Sequence, residues 1–344
     1  MLFILLFAYW YYLAGYYSVE PAVKHTLHAQ IEAGDVIVTD TGSVRRTGNT
    51  FMSIPEWYIV SISDDYTTWL EKANNPSDFP YWGYLKDYWI MYGKITAYMD
   101  DIIPRDYEYH TMVRVIGIST TFELWLKSLY ESSIWRLTSL VAYSSVVDTF
   151  YAQSSRRYVD FILLKPWYEF SYDQELTLLN NVKNKRKNTV ELVREIERHM
   201  FYAAELSIKH VYAQAIEKAT RAEFAAPDPY TTVIGDFSGV VLSDLTGGVL
   251  WENNSTLKIP RYFPFTQIYP KIAKKHPRIQ KIAGNQNIVM EFQTADRLNM
   301  PWEILRMPIR ISPEKNRVFV CTQHTTHATL FEQYREQLVH IYDF

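Results

Sequence analysis

Hydrophobic and polar positions divide the chain into an uncharged start, a helical middle and a mixed end. Residues 1–19 carry no charged side chain, and the run is long enough to cross a bilayer core as a helix. Tyr and Trp crowd its second half, as aromatic side chains of membrane helices do at the headgroup level. We therefore predict a single-pass transmembrane anchor at 1–19. A buried helix and a cleaved signal peptide are the alternatives, and no Lys or Arg precedes the run as a signal peptide would require.

A connector and a long helical region follow the predicted anchor. Residues 20–50 contain one short β-prone run at 36–38, bounded by turn residues. The aromatic-rich region 51–226 then shows helical spacing, and Gly and Pro are scarce after residue 110. We predict helices near 84–99, 113–138, 147–163 and 189–224. Pro227 and Pro229 end the helical region, because proline cannot continue a helix.

The last third of the chain changes character. Short β-like runs in 227–344 alternate with helical patterns at 264–276 and 327–338. The order is strand, helix, strand, strand, helix, strand, which is typical of a ferredoxin-like α+β sandwich. The predicted fold class is therefore α+β, with a transmembrane anchor, a helical domain over 51–226 and a ferredoxin-like domain over 227–344.

Two of the predicted helices resemble each other. Residues 122–138 align without a gap with 204–220, and the pattern Glu, Lys one turn later, then Tyr recurs in both. Each trio falls on one stripe of its helix. One hypothesis is that the stripes meet in a polar seam between the two helices. The alternative is an ordinary solvated face with a chance similarity. The seam candidates are Glu123, Lys127, Tyr130, Glu205, Lys209 and Tyr212.

Composition narrows the class of protein. The net charge of −3 and the 21% of charged residues are typical of a folded chain and not of a disordered one. A near-neutral chain is also a poor candidate for a dedicated nucleic-acid binder, so no nucleic-acid partner is predicted. The single cysteine excludes an intramolecular disulfide framework and a zinc site with several thiolates.

Catalytic and cofactor signatures are missing from the sequence. No phosphate-binding loop, dinucleotide-binding glycine motif or nucleophile elbow occurs in it. The pair His324 and His327 lacks the His-Glu-x-x-His pattern of zinc proteases, and an adjacent Thr is as well explained as a helix cap. We therefore predict no metal site and no cofactor, and a non-catalytic protein is favoured over an enzyme.

Two other groups of residues are candidates for binding. Glu56, Trp57, Tyr81 and Trp82 could line an aromatic pocket for an apolar or lipid-like ligand, although ordinary core packing explains such aromatics as well. From residue 253 to 290 the chain carries seven basic residues and no acidic one, with aromatic residues between them. Such a surface binds anionic lipid, and the alternative is a solvated helix face. The basic residues are Lys258, Arg261, Lys271, Lys274, Lys275, Arg278 and Lys281.

Several phrases together resemble a group of bacterial membrane-associated proteins with no assigned activity. They include SIPEWYIV at 53–60, PSDFPYWG at 76–83, PWYEF at 166–170 and the final HIYDF at 340–344. The resemblance implies a bacterial inner-membrane location and assigns no functional residue. The predicted function is a membrane-anchored, non-catalytic interaction or assembly protein, with membrane lipid and a protein as partners. The alternative is a membrane-anchored enzyme or carrier acting on an apolar ligand.

Overall fold

A computed structural model describes residues 47–100, 107–138, 145–182, 189–223, 228–238, 248–275, 278–295 and 300–343. The predicted anchor at 1–19 and the predicted strand at 36–38 lie outside these residues. Within the described ranges, no helix has both the length and the apolar character that crossing a membrane requires.

Six helices account for the described part of the chain before residue 224. They are α1 (Thr47–Glu71), α2 (Tyr81–Asp100), α3 (Tyr107–Tyr130), α4 (Val146–Ile162), α5 (Tyr172–Asn180) and α6 (Thr189–Glu223). After Tyr130, α3 continues through a π-helical turn at Glu131–Trp135 into a last turn at Arg136–Thr138. Helical periodicity predicted α2, α3, α4 and α6, and their predicted ends agree with the structure to within about one or two turns.

Local side chains fix where some of these helices begin. The Ser145 side chain caps α4 by accepting a hydrogen bond from the backbone N–H of Val147. The Asp148 carboxylate in turn accepts a hydrogen bond from the backbone N–H of Ser145. This reciprocal capping box satisfies amide groups that have no partner inside the helix. The Asn75 side chain caps the short 3₁₀ turn Pro76–Asp78 by accepting a single backbone hydrogen bond, and that turn separates α1 from α2.

The C-terminal part contains eight strands in two antiparallel sheets. The strands are β1 (Tyr230–Gly235), β2 (Leu250–Asn253), β3 (Thr256–Pro260), β4 (Ile279–Ile282), β5 (Asn287–Ala295), β6 (Glu303–Pro308), β7 (Lys315–Gln323) and β8 (Leu338–Ile341). Helix α7 (Phe263–Lys275) precedes β4, and α8 (His327–Tyr334) precedes β8. The α+β class predicted from the sequence is therefore confirmed.

The predicted ferredoxin-like topology is wrong. The first sheet has the order β2-β3-β1-β4 and the second has the order β6-β7-β5-β8. Each half thus runs strand, strand, strand, helix, strand with the same spatial order, so the C-terminal part repeats one motif twice. Sequence reasoning missed this because β2, β3 and β6 fall in segments that look like irregular inserts, and a four-residue strand has almost no periodicity.

The two halves of the repeat share one hydrophobic core. Buried residues of both sheets and both helices contact each other in a single cluster, with Leu257 and Ile259 from the first half and Val318 and Val320 from the second. Alternate residues of β3 are buried, as expected for a strand with one face on a core. The motif therefore folds as a pair, since each half covers the apolar face of the other.

The described chain divides into two compact units. The first, called the mixed unit, combines the described residues of Met1–Tyr58, Gly83–Ser119 and Asp228–Phe344. The second, called the helical unit, combines Ile59–Trp82 with the described residues of Thr120–Pro227. Aromatic clusters fill both units.

In the mixed unit, one glycine permits a close approach of α2 and α3. The hydroxyl of Tyr88 donates to the carbonyl of Val113 at 2.9 Å. A Cβ atom on Gly117 would lie 2.3 Å from the Tyr88 ring, closer than non-bonded atoms allow. Only glycine therefore fits at this position of α3.

Candidate functional site

Helices α3 and α6 run antiparallel within the helical unit. The carboxylate of Glu123 lies 2.8 Å from Nζ of Lys209, and Nζ of Lys127 lies 3.0 Å from the carboxylate of Glu205. As residue numbers rise along α3, the partners' numbers fall along α6. The structure thus brings together four of the six seam candidates.

Antiparallel packing explains why the repeated pattern produces complementary charges. Each helix carries Glu and, four residues later, Lys. A parallel pair would place like charges opposite each other, whereas reversal of one helix places each Glu opposite the other helix's Lys. Within α6 the Glu205 carboxylate also contacts Lys209 at 2.8 Å, and within α3 the Glu123–Lys127 distance is 3.8 Å.

Tyr151 of α4 completes this cluster. Its hydroxyl accepts a hydrogen bond from Nζ of Lys127 at 2.7 Å and donates to the carboxylate of Glu205 at 3.0 Å. Its ring stacks on Tyr202 with 3.7 Å between ring centroids. Lys127 also lies over the ring of Tyr66 at 4.8 Å, so the ammonium group has both ionic and aromatic partners.

Glu205 and Lys209 are held in their ionised forms within this cluster. Burial alone raises the pKa of Glu205, but the ammonium groups of Lys127 and Lys209 outweigh it and lower that pKa to about 2. Burial likewise lowers the pKa of Lys209, and the carboxylates of Glu123 and Glu205 reverse the direction and raise it well above 10.5. The buried charges are thus paired, as their removal from water requires.

The two tyrosines of the predicted seam lie elsewhere. Tyr130 stacks on Phe201 with 3.4 Å between ring centroids, one turn beyond the ion pairs. Tyr212 stacks on Trp167 with 5.4 Å between centroids. Both contribute ring packing.

A second buried charge cluster, which sequence reasoning missed, lies next to Tyr130. The guanidinium of Arg198 contacts Glu131 at 3.2 Å and Asp148 at 2.6 Å. Burial raises the pKa of Glu131 to about 7, although the charge of Arg198 opposes the shift. Arg194 contacts Asp148 at 3.6 Å and Glu197 at 3.4 Å. The sequence feature that could have indicated this cluster is the alternation of Glu and Arg along 191–198. It was missed because such an alternation is also typical of a solvent-exposed helix face.

The amphipathicity of α3 and α6 is inverted in the helical unit. From residue 189 to 216 every exposed position of α6 is uncharged, while its charged residues are buried or half-buried. Arg194 and Arg198 are each 1% exposed, whereas the intervening Ile196 is 48% exposed. The same holds on α3, where Lys127 is buried between the exposed Leu126 and Leu129. Many large hydrophobic side chains therefore point outward, while the ion pairs lie inside beside buried apolar residues such as Leu124 and Leu206.

The outward large hydrophobic side chains of α3 and α6 are here together called the outer face, and four of them line one groove. Each of its large hydrophobic residues is between 40% and 69% exposed. An exposed apolar patch of this kind marks a contact with another molecule or with a membrane more often than a solitary exposed residue does. Its members are Phe122, Leu126, Leu129, Ile134, Leu137, Val190, Val193, Ile196, Met200, Ile208 and Val211.

A groove of about 510 Å³ lies within the outer face. Its lining residues are Tyr130, Ile134, Val193, Ile196, Glu197, Met200 and Phe201. The charge of Glu197 is balanced, because its carboxylate accepts from the hydroxyls of Tyr130 and Thr138 and contacts Arg194. The groove therefore presents an almost entirely hydrocarbon surface between α3 and α6.

The predicted aromatic pocket residues are divided between the units. In the mixed unit, Glu56 accepts from the hydroxyl of Tyr109 at 2.8 Å and Trp57 stacks on His340 at 3.8 Å. In the helical unit, Tyr81 is buried and Trp82 is 44% exposed. A ligand pocket formed by these residues stays a prediction.

The basic residues of 253–290 differ in exposure and lie on different elements. Arg261 is buried and its guanidinium lies over the ring of Tyr262 at 4.9 Å. Lys258 is half-buried on β3 between the buried Leu257 and Ile259, and Lys281 is half-buried on β4 next to the buried Ile282. Arg278 is exposed and pairs with Asp236 at 3.2 Å. Lys271, Lys274 and Lys275 remain as an exposed group on the outside of α7.

The histidine pair of the mixed unit is buried and neutral. His324 faces the carbonyl of Asn285 at 2.8 Å, and burial lowers its pKa to about 4. Burial and the nearby His324 lower the pKa of His327 well below 6.5, and its Nδ1 lies 2.7 Å from the hydroxyl of Tyr269. Among the described residues, no group of three or more His, Cys, Asp and Glu side chains is placed to hold a metal ion.

Acid is expected to destabilise the mixed unit through these histidines. Because the pKa of His324 is near 6.5 in the unfolded chain and about 4 in the folded one, the unfolded state binds more protons between those values. The contribution of neutral His324 to the free energy of unfolding is therefore fully present above about pH 6.5. It is lost as the pH falls toward about 4, and the loss amounts to about 3 kcal/mol. Urea unfolding between about pH 7 and about pH 4.5 measures the loss.

His324→Gln is expected to flatten this pH dependence, because glutamine does not take up the proton. The control is His199→Gln, because His199 is a half-buried residue of the helical unit that bonds to Asn180 at 3.0 Å, and this change leaves every residue of the mixed unit in place. An equal loss of stability in the wild type and in His324→Gln over this range would contradict the assignment.

Comparison with protein-family models, with curated proteins and with solved structures finds no match to this chain. The functional conclusion therefore rests on the outer face and on the buried charges behind it.

Proposed function

We propose that this protein is a non-catalytic, membrane-associated interaction protein whose helical unit meets the lipid bilayer through the outer face of α3 and α6. The observation that carries the proposal is the inverted amphipathicity of these helices. Eleven large apolar side chains of these helices are exposed, whereas the Glu, Lys and Arg side chains between residues 189 and 216 of α6, together with Lys127 and Glu131, are buried or half-buried, several of them in ion pairs.

The energetics of the outer face support an apolar environment. Burying one large apolar side chain is worth about 1.5–3 kcal/mol, and eleven such residues stand exposed on the face. In water, the more favourable arrangement would bury these apolar side chains and expose the charged side chains of α3 and α6 to solvent. Charged residues that face a bundle interior while apolar residues face outward are typical of helices in contact with lipid.

Features of the sequence agree with lipid as the partner. The uncharged run at 1–19 is itself a predicted membrane anchor. Lys183, Lys185, Arg186 and Lys187 precede α6 in the sequence, and basic residues near a membrane surface each gain about 1 kcal/mol from anionic lipid. The exposed lysines of α7 supply a second basic surface, in the mixed unit.

The alternative of an enzyme or carrier with an aromatic-lined pocket has weaker support. It rests on the half-buried ring of Trp57 and the buried ring of Tyr81, and ordinary core packing produces the same burial.

A cysteine probe tests the outer face directly. The chain has one cysteine, Cys321, which is buried with a pKa raised to about 12, so a second cysteine can be labelled selectively. Ile208→Cys, at a position 65% exposed on the outer face, is labelled with an environment-sensitive fluorophore. We expect a blue shift and strong quenching by nitroxide-bearing lipid when the full chain is reconstituted in phosphatidylcholine–phosphatidylglycerol vesicles.

Leu164→Cys is the matched control, because Leu164 is 51% exposed and lies just beyond the end of α4. This probe is expected to stay water-like, whether or not an anchor holds the chain on the vesicle. Equal quenching of the two probes, or none at Ile208→Cys, contradicts the proposal. A blue shift without vesicles that grows with protein concentration would instead identify a second copy of the chain as the partner.

A further inference from the structure

We propose that the groove between α3 and α6 holds one acyl chain of a bilayer phospholipid. This inference rests on the proposed function, since the chain reaches the groove when the outer face meets the bilayer. It goes further, because a face can rest on lipid without retaining any particular chain.

The chemistry of the groove selects an uncharged hydrocarbon. Ile134, Val193, Ile196 and Met200 supply branched or flexible apolar walls. The single charged lining residue, Glu197, has its charge balanced by Arg194 and its oxygens occupied by two hydroxyl donors. A cationic headgroup would have to compete with these partners, whereas a methylene chain leaves them intact.

The backbone of α3 shapes the groove. The π-helical turn at Glu131–Trp135 adds a residue to one turn, and Ile134 projects from that turn into the groove. Such wide turns are frequent at functional sites. The stacked rings of Tyr130 and Phe201, 4° from parallel, form the floor between the two helices. The ring of Tyr130 is held in place, since Arg198 donates to its hydroxyl at 3.1 Å.

Size and position also favour an acyl chain. A volume of about 510 Å³ lies within the range of about 300–1,000 Å³ that small-molecule sites occupy. From Val193 to Met200 the groove follows about 10 Å of α6, which is a third of the thickness of a bilayer core. The lining residues Ile134, Val193 and Met200 are each at least half exposed, so an acyl chain can enter the groove sideways from the bilayer.

Photocrosslinking in vesicles tests the inference. The full chain is reconstituted in phosphatidylcholine–phosphatidylglycerol vesicles containing a phosphatidylcholine with a diazirine in one acyl chain, and crosslinked peptides are mapped by mass spectrometry. Because the groove surrounds a chain on more sides than an open helix face does, we expect crosslinks at Ile134, Val193 and Met200 to exceed those at Val211 about tenfold, which corresponds to about 1.4 kcal/mol.

Two tryptophan substitutions separate the groove from the rest of the outer face. Val193→Trp adds bulk inside the groove and is expected to remove most of the enrichment. Val211→Trp adds the same bulk to a position 66% exposed outside the groove and is expected to leave the enrichment unchanged. Both sites face outward, so the bundle interior is not altered.

The outcomes distinguish this inference from the proposed function. Crosslinks spread evenly over the outer face, with the Ile208→Cys probe still quenched, overturn the acyl-chain site and leave membrane contact standing. Enrichment that survives Val193→Trp also overturns it. Absence of both crosslinks and quenching overturns the site together with the proposed function.

Discussion

Glu205→Gln is expected to lower the free energy of unfolding of the helical unit by about 3–5 kcal/mol, the usual cost of removing one partner from a buried ion pair. Glu205 faces two ammonium groups, with Lys127 at 3.0 Å and Lys209 at 2.8 Å. The Lys127 side chain is only 6% exposed, so water cannot replace the lost carboxylate. Urea unfolding, followed by far-ultraviolet circular dichroism, measures the change.

The acid titration of Glu205 offers an independent estimate of the same energy. Its pKa is about 2 in the folded protein against an ordinary value of 4.5, and a difference of this size corresponds to about 3 kcal/mol. Because the folded pKa is lowered, this stability is present above about pH 4.5 and is lost as the pH falls toward about 2. Glu205→Gln is expected to abolish that part of the acid sensitivity.

A matched control lies on the same helix. Glu217 pairs with Arg221, also four residues later, but the Arg221 side chain is 76% exposed. Glu217→Gln is therefore expected to change stability by less than about 1 kcal/mol. Equal losses in the two variants would show that burial of the Glu205 cluster contributes nothing.

A double-mutant cycle asks whether the repeated pattern acts as one unit. Glu123→Gln and Lys209→Met remove the two ends of the 2.8 Å contact between α3 and α6. The double variant is expected to lose less stability than the sum of the single variants, by about 0.5–3 kcal/mol. Strictly additive losses would argue against a shared polar seam.

Arg317→Met is expected to destabilise the mixed unit by about 3–5 kcal/mol, because it leaves the carboxylate of Glu291 buried without its cation. Arg317 contacts Glu291 at 2.7 Å, and each side chain is 3% exposed. The two residues lie diagonally across the paired strands β5 and β7. The hydroxyl of Tyr342 donates to the other carboxylate oxygen of Glu291 at 2.9 Å, so each oxygen of this carboxylate has a partner.

The effect should depend on the unpaired charge and not on lost packing. The double variant Glu291→Leu with Arg317→Met removes both charges, and it is expected to recover most of the stability. Arg278→Met removes the exposed partner of Asp236 in the same unit and is expected to have little effect. Thermal unfolding and urea unfolding of the three variants measure this order. A double variant as unstable as Arg317→Met would rule out the electrostatic explanation.

Local sequence information predicted much of the secondary structure. The long helices follow from apolar periodicity, and the strands β5 and β7 follow from β-branched runs of normal length. The short strands β2 and β6 could not be predicted in the same way. They are strands because β2 pairs with β3 and β6 pairs with β7, and such pairing leaves no periodic pattern within the short strand itself.

The sequence by itself determined which residues of α3 and α6 belong together. The repeated Glu and Lys positions were visible as a gapless alignment, because helical spacing places them on one stripe whatever surrounds the helix. The basic residues from 253 to 290 were visible in the same way, but their distribution over a buried site, a sheet and a helix was not.

Only the tertiary structure decided which stripe of α3 and α6 faces inward. A helix with one charged stripe and one apolar stripe can turn either to solvent, and its periodicity is the same in both cases. The choice depends on complementary partners from distant parts of the chain. Reversal of α6 against α3 pairs Glu123 with Lys209, and Tyr151 reaches the pair Lys127–Glu205 from α4. Because these partners satisfy the charges inside, the apolar side chains are left outside, and the outer face exists.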